Sequence, residues 1–563
     1  MRKERLVDCL RICVGGSGET LMSISSRYGI GLGQLKALNP QIPSADISIE
    51  GLIVNLPLQR QSAGASAESR VVAPFCPPVP QSQFFSTWIP VTTAEKMAKQ
   101  EYDVLVIGTG AGGGASIWRL CEQLAGSGKR IGVVERGDLF LPTNVSNIPT
   151  MNGANFRLYA PPEMKMIGNR LPEYAGAKVV YALGGRTLFW GAVTPRMPLS
   201  ELVKWPVPIE EMDLYYKIAE QVMNVTTSYT QDSSITEVLL NRLWAHGYPE
   251  ADKLPIAADL AQTSYGKLHS NVLFSSITFL AKALSRRPFD LAVNTPAVEV
   301  VTDKGKVAGV KVMTLDKGPF MIRSKHVIVS ASALQTPRIL LNSGIPGRSI
   351  GHYLTNHSYL VATASVSTKG FDDPVGALGI IIPQTEGRPY QLQLQGPEQY
   401  FNYHFDHKPI KTEWGISFFY ASGLVESRYE NYVYIEPGNR DEYGLPEIQV
   451  KFAYSSKDEA VVQEMYAAMQ RAAERMQVDI ATLDGTPAIC FFTPGTDYHE
   501  SGTCRMGVDP DTSATNLYGE IHSVSGLFIA DNSVLPTIGA ANPTLSTVAL
   551  AIRTADHIVR RLG

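Results

Sequence analysis

The segment "DYHESGTCRMG" (497–507) sets His499 between Asp497 and Glu500, just ahead of a Gly-Thr turn. Imidazole is the side chain whose ordinary titration lies nearest neutral pH. Such a base is what alcohol oxidation requires, because a proton must leave the hydroxyl as a hydride leaves the carbon. A lone histidine is more often a satisfied structural residue, so the chain must also supply a site for a hydride acceptor.

That signature lies near the other end of the chain. In "EYDVLVIGTGAGGGASIWRLCEQLAGSGKRIGVVERGD" (101–138), Val104–Ile107 reads as a short buried strand, followed at once by Gly108-x-Gly110-x-x-Gly113. The first glycine permits a tight turn and the second lets a pyrophosphate approach the backbone. The third allows close helix–strand packing, and the helix N-terminus faces the phosphates. The helix carries Ala115, Trp118, Cys121 and Leu124 on one side. A second strand, Ile131–Val134, ends in Glu135, where an acid accepts both ribose hydroxyls of an adenosine. An acid there repels a 2′-phosphate and disfavours NADP; the motif alone leaves NAD and FAD open.

Three later segments must complete such a fold. "HVIVSASALQTPRILLNSG" (326–344) predicts a strand running into a helix, with Thr336 as cap, Pro337 in the first turn and Gly344 past the end. "GLFIADNSVLPT" (526–537) is a buried strand ending at Asp531. "GAANPTLSTVALAIRTADHIVRRL" opens with Asn542-Pro543 and continues as an amphipathic helix through Leu545, Val548, Ile552, Ala555, Ile558 and Val559. A nucleotide fold that returns at the C-terminus after a long insertion wraps an extended cofactor.

Ahead of all this, residues 11–57 predict a small strand–helix–helix–strand unit. Thr20 caps a helix bearing Leu21, Ile24 and Tyr28, and Gly29 ends it. Leu32, Leu35 and Leu38 mark a second helix that stops at Asn39-Pro40, and "GLIVNLP" closes the unit. Residues 58–100, rich in Ser, Ala, Gln and Pro, read as a linker.

Bulk properties narrow the classes. At 563 residues the chain exceeds one compact core, and 44% hydrophobic with 18% charged residues is ordinary for a soluble globular protein. A formal charge of −3 without a Lys/Arg block argues against a nucleic-acid partner. No stretch approaches about 20 apolar residues, which argues against a membrane span. The start "MRKERLVDCLRICVGG" carries no apolar run of signal-peptide length, so a cytoplasmic location is expected. Six cysteines without a C-x-x-C pair suggest neither a disulfide framework nor zinc. His404 and His407, three apart with no third ligand, make no metal site, and no metal is expected.

From Tyr102 to Gly563 the chain resembles the glucose–methanol–choline (GMC) oxidoreductases, an FAD-dependent family with a discontinuous nucleotide domain. "HESGTCRMG" and "GAANPTLSTVALAI" are most similar to the pyranose oxidase-like branch. "ALGGRTLFWGAVTPR" (182–196) matches that branch at Gly184-Gly185, Trp190 and Thr194-Pro195-Arg196. The resemblance implies an α/β fold: a Rossmann-like FAD-binding domain from 101–210, 285–350 and 496–563, with an inserted α+β substrate domain from 211–284 and 351–495. It implies His499 as the base and Asn542 as its partner on the substrate. It implies FAD contacts from Gly108, Gly110, Gly113, Glu135, Arg136, Trp190, Gly191, Val298, Asp531, Asn532, Pro543 and Thr544.

Phe189 stands where the branch links FAD through a histidine, so FAD is expected to be held without a covalent bond. Gly191 stands where the branch has a hydroxyl residue beside flavin N5, which leaves oxygen and another electron acceptor equally open. Asn542 before Pro543 is also what ordinary helix capping predicts, and a capping side chain would not be free for substrate. "WPVPIEEMDLYYKIAEQVMNV" (205–225) is read as structure. The aromatic runs "YFNYHFDHKP" and "ISFFYASG" fit either sugar stacking or a strand core.

The expected activity is FAD-dependent oxidation of a secondary alcohol of a sugar or glycoside. The alternatives are a dehydrogenase of a non-sugar alcohol, a flavin-bearing lyase, and a glycan-binding protein. The last rests on the front unit, which resembles a LysM module at Gly18-Glu19-Thr20-Leu21, Asn39-Pro40 and the closing strand, with Glu19 where the family usually has Asp. That resemblance implies an N-acetylglucosamine polymer as ligand; the other reading is a retained docking or folding unit.

Overall fold

The computed structural model describes residues 11–14, 16–57, 89–148, 164–166, 172–260, 272–367, 369, 371–372, 375–396 and 413–563. The chain divides into two compact units, Met1–Gln81 and Ser82–Gly563.

In the first unit, Thr20 caps the helix Leu21–Tyr28. Its hydroxyl accepts from the Ser23 N–H, and the Ser23 hydroxyl oxygen in turn accepts from the Thr20 N–H. Gly29 ends the helix in the left-handed region at φ +62°. The helix Leu32–Ala37 follows, and strands Arg11–Val14 and Ile53–Leu56 pair antiparallel. Leu21, Ile24, Leu35, Ile42, Ile49 and Val54 form the core. Asn39 is buried with them because it sews helix to strand. Its Nδ2 donates to the carbonyls of Leu35 (2.8 Å) and Asn55 (2.9 Å), and its Oδ1 accepts from the Asn55 N–H (2.7 Å).

The second unit is built on two sheets. The first has a parallel part in the order Asp290–Ala292, Ile131–Val134, Glu101–Ile107, the latter half of Pro319–Val329, and Leu527–Ile529. The earlier half of Pro319–Val329 turns antiparallel onto Lys306–Met313, which pairs with Ala297–Asp303. Val104 to Ile107 and Val327 to Val329 are buried throughout, which is why they read as unbroken apolar runs. Helix Ala111–Gln123 packs against the C-terminal helix Thr544–Leu562, and Arg119 Nε bonds Asp556 Oδ1 at 2.6 Å.

Three parts of the chain depart from expectation. Within 58–100, expected to be a linker, Thr93 caps a helix, Ala94–Ala98, whose Ala94 and Met97 enter the core of the second unit. Helices Ile209–Met223 and Ser276–Leu284 fall in the stretch expected to belong to the substrate domain (211–284), yet they lie on the nucleotide layer. Tyr216 OH meets Ser546 Oγ at 2.7 Å, and Arg553 Nε reaches Glu211 Oε1 at 2.9 Å. Trp118 stacks on Phe279. Ser276–Leu284 lies there because of packing at Gly114, where a Cβ would stand 1.9 Å from Ser276 Oγ, so glycine lets it approach helix Ala111–Gln123, while Ile209–Met223 is held by its contacts with the C-terminal helix. Thr336 is also not the cap of its helix. Helix Gln335–Asn342 has Leu334 at that position with no side-chain cap. The Thr336 hydroxyl donates instead to the buried Asp531 Oδ2 (2.5 Å), a carboxylate that needs donors more than the helix end does.

The second sheet is antiparallel, in the order Asp479–Ile480, Ser358–Ser367, Glu413–Gly423, Tyr390–Gly396, Leu378–Ile382, Asp252–Lys253. Ile489–Phe491 also pairs with Ser358–Ser367. Helices Ser234–Ala245 and Ser456–Met476 cover it, closing a core of Leu360, Ile380, Leu392, Leu394, Phe419 and Met465. No helix among the described residues is long and apolar enough to cross a membrane.

Candidate active site

A cavity of about 590 Å³ runs from the glycine loop to His499. At one end Gly108 sits at φ +92°, and a Cβ there would stand 2.3 Å from the Ser330 carbonyl oxygen. A Cβ on Gly113 would strike the Gly108 oxygen at 2.1 Å, the close helix–strand approach the spacing predicted. Gly112, not singled out in the sequence, is tighter still, 1.7 Å from the Ala530 oxygen. Gly110 differs: nothing lies within 4 Å of its Cβ position. It caps helix Ala111–Gln123 without a side-chain bond, leaving first-turn N–H groups free towards the cavity.

Glu135 ends its strand on the cavity wall. Its carboxylate accepts from Thr109 N (3.0 Å), Thr109 Oγ1 (2.7 Å) and Gly137 N (2.9 Å). Burial pushes its pKa up, against these bonds. Arg136 also lines the wall, stacked over Tyr181 and paired with Asp441 at 3.1 Å. Trp190, Gly191, Asp531, Asn532 and Thr544 are on the wall too; Trp190 is held by its Nε1–H on the Phe274 carbonyl (2.7 Å). Val298 and Pro543 are not. Alternation in the strand that starts at Ala297 puts Ala297 on the wall and turns Val298 away, while the Val298 carbonyl is taken by Asn342 Nδ2 (2.8 Å). Pro543 is the cap residue behind Thr544. The open Gly110 position, the uncapped helix end and the acid at the strand end together fit the diphosphate and ribose of an FAD.

At the other end, His499 and Asn542 meet: Asn542 Nδ2 lies 3.5 Å from His499 Nε2. Asn542 does not cap its helix, which carries no side-chain cap; its Oδ1 accepts from Gln391 and Gln393 instead. The other nitrogen of His499, Nδ1, is 2.8 Å from His357 Nδ1 and 3.9 Å from Asp497 Oδ2. Two imidazole nitrogens at 2.8 Å share a hydrogen bond. Two ligands of one tetrahedral zinc stand about 3.3 Å apart at metal–nitrogen lengths of about 2.0–2.1 Å.

Burial drives His499 well below its ordinary pKa of 6.5, with His357 and Arg186 adding to the shift, so it is a neutral imidazole at neutral pH. Burial raises Asp497 to about 7, with Glu500 as a second cause. Asp497 is held by the His357 N–H (2.9 Å) and Asn356 Nδ2 (3.1 Å). Glu500 is neutralised by Arg186 at 2.5 Å. Across the cavity Tyr359 stacks on Tyr420 (5.1 Å) and Phe492 (5.8 Å), an aromatic wall beside His499. Within "ISFFYASG", Phe419 is core and Tyr420 faces the site; "YFNYHFDHKP", with His404 and His407, lies outside the described residues. His357, Gln391 and Gln393 escaped the sequence reading, since each is defined only by contacts more than a hundred residues away.

A parallel sheet with a glycine-loop cleft that ends on a buried imidazole and amide defines a dinucleotide-binding α/β oxidoreductase. Residues 162–359 and 427–551 match the family models described as GMC oxidoreductase, and residues 16–50 match a LysM domain. The chain belongs to the GMC oxidoreductase family, flavoproteins that carry FAD and act on alcohol groups. It is 28% identical over 410 residues to a C-glycoside 3-oxidase of Microbacterium trichothecenolyticum, covering 67% of this chain and 75% of that one. It is 23% identical over 439 residues to a pyranose 2-oxidase of Tricholoma matsutake, covering 69% and 74%. Its fold is similar to that of the crystal structure of pyridoxine 4-oxidase from Mesorbium loti, with a TM-score of 0.59, 14% identity and coverage of 81% and 99%.

Proposed function

We propose that the second unit oxidises a ring secondary alcohol of a sugar or glycoside, with His499 as the base and Asn542 as its partner. The observation that carries this reading is the His499 Nε2–Asn542 Nδ2 pair at the end of the dinucleotide cleft. FAD, held without a covalent bond where Phe189 stands, supplies the hydride acceptor. His499 Nε2 takes the hydroxyl proton, and neutrality at working pH is what that role demands. Asn542 Nδ2 donates to the hydroxyl oxygen as charge builds there. The Tyr359–Tyr420–Phe492 wall offers a flat apolar face of the kind a pyranose ring covers. Similarity to sugar- and glycoside-oxidising relatives supports the substrate class.

The test is anaerobic mixing of the flavoprotein with monosaccharides, O- and C-glycosides and simple alcohols, followed by flavin bleaching. A sugar or glycoside should bleach it, and His499→Ala should slow bleaching by about 10²–10⁴-fold with flavin content unchanged. A variant as fast as the native protein, or bleaching by simple alcohols alone, refutes the reading. Oxygen consumption in the same screen separates an oxidase from a dehydrogenase.

For the first unit we infer a glycan ligand, supported by the LysM match. The full chain should sediment with insoluble chitin or peptidoglycan, and a chain lacking residues 1–81 should not. Equal sedimentation of both leaves the unit a folding or docking element.

A further inference from the structure

Strand Tyr390–Gly396 reads Tyr-Gln-Leu-Gln-Leu-Gln-Gly, and all seven residues are buried. Leu392 and Leu394 enter the apolar core of the second sheet, so Gln391, Gln393 and Gln395 share the opposite face. Burying three primary amides is unfavourable unless each is hydrogen-bonded. Their bonds converge on Asn542. Gln393 Nε2 donates to Asn542 Oδ1 at 2.7 Å, and Gln391 Nε2 donates to the same oxygen at 3.2 Å. Behind them Gln395 Nε2 donates to Tyr420 OH (3.1 Å), and that hydroxyl donates to Gln393 Oε1. Gln395 is on the cavity wall; Gln391 and Gln393, 2% and 0% exposed, are not. They stand behind Asn542, where substrate does not reach.

We propose that Gln393, aided by Gln391, is a positioning residue that holds the Asn542 amide with its NH2 towards His499 and the substrate hydroxyl. Two donors on Oδ1 define that orientation: turned by half a rotation, Asn542 would set its NH2 against two Nε2 donors. Held as it is, the amide donates to the hydroxyl oxygen while His499 Nε2 takes the proton. Turned over, it would present a carbonyl oxygen to that oxygen and repel the charge growing there. The proposal rests on the reading of His499 and Asn542 as base and partner.

The test compares Gln393→Glu, Gln393→Leu and Asn542→Ala as flavin-loaded proteins, measuring substrate-driven flavin reduction across pH. An ionised carboxylate at 393 accepts only, so it draws the Asn542 NH2 and turns the amide over. A protonated one donates and accepts as glutamine does. Gln393→Glu should therefore lose about 10²-fold in rate at high pH. It should recover as pH falls through the pKa of the new carboxyl, with KM little changed and flavin content normal. The native protein should show no such recovery, and Gln393→Leu should be slow at every pH.

A rate loss in Gln393→Glu that is the same at every pH marks a merely structural role and overturns the proposal. So do native rates in both Gln393 variants while Asn542→Ala is slow, which leaves the reading of the site intact. Native rates in Asn542→Ala overturn both. Should Gln393→Glu load no flavin, Gln391→Glu carries the same pH test with the same outcomes.

Discussion

His357 and His499 meet Nδ1 to Nδ1 at 2.8 Å, and this contact decides which nitrogen of His499 is left for the cavity. One ring must donate and the other accept. A basic lone pair at His499 Nε2 requires the proton at its Nδ1, which makes His357 the acceptor. Burial holds His357 down at about 4, so it stays neutral, and able to accept, through the neutral range. Asp497 Oδ2, 3.9 Å from the same His499 nitrogen, lies on the side where positive charge appears once Nε2 is protonated.

The pH dependence follows with a definite sign. His499 has its pKa lowered by burial, so it remains the free base as pH falls through the ordinary imidazole value of 6.5. In Asp497→Asn, which removes the neighbouring carboxyl that titrates at about 7, the rate constant for substrate-driven flavin reduction should therefore be level from about pH 8 to about pH 6. Rapid-mixing measurements that find an acid limb centred at or above 6.5 contradict this assignment.

Two neighbouring glycines should respond differently to alanine. At Gly110 a Cβ meets no protein atom within 4 Å, and its φ of −63° is open to any residue. Gly110→Ala should keep the fold and its melting temperature without flavin, but bind FAD poorly because the methyl occupies the diphosphate space. At Gly112 the Cβ would stand 1.7 Å from the Ala530 oxygen, so Gly112→Ala should lower the melting temperature of the flavin-free protein itself. Calorimetry with and without FAD separates the two, and equal destabilisation by both contradicts the open cradle at Gly110.

Asp497 gives a stability signature. Its folded pKa, about 7, is raised above the ordinary 3.8, so its contribution is fully present below 3.8 and is lost as pH rises through about 7. Asp497→Asn should flatten that part of the melting-temperature profile and gain most over the native protein above pH 7. An unchanged slope in this window would show that the carboxyl is not held protonated.

Attachment of the flavin is tested most simply. With Phe189 where the pyranose oxidase-like branch has its linking histidine, acid precipitation should release all of the flavin into the supernatant. Yellow colour retained by the denatured protein would prove a covalent bond at some other residue.

Local rules made much of the frame legible. Gly108, Gly110, Gly113 and Glu135 owe their places to short-range geometry, and Thr20, Gly29 and Gly344 punctuate helices through bonds and turns within a few residues. His499 stood out because its neighbours in sequence resemble a known motif. Asn542 was ambiguous for a physical reason: capping bonds would come from its own helix, whereas the bonds it makes come from Gln391 and Gln393, 151 and 149 residues away.

The alternation Gln-Leu-Gln-Leu-Gln follows the period of a strand with one wet face, and nothing local distinguishes water from a buried amide network as the partner of that face. Val298 lies off the cavity wall for a reason of the same kind, since which face of a strand meets a cavity depends on what the sheet packs against. The pairing of His357 with His499 across 142 residues is of this kind too. Backbone propensity and turn chemistry act over a few residues and are written in the sequence, while hydrogen bonds between buried side chains exist only once the two sheets have closed on each other.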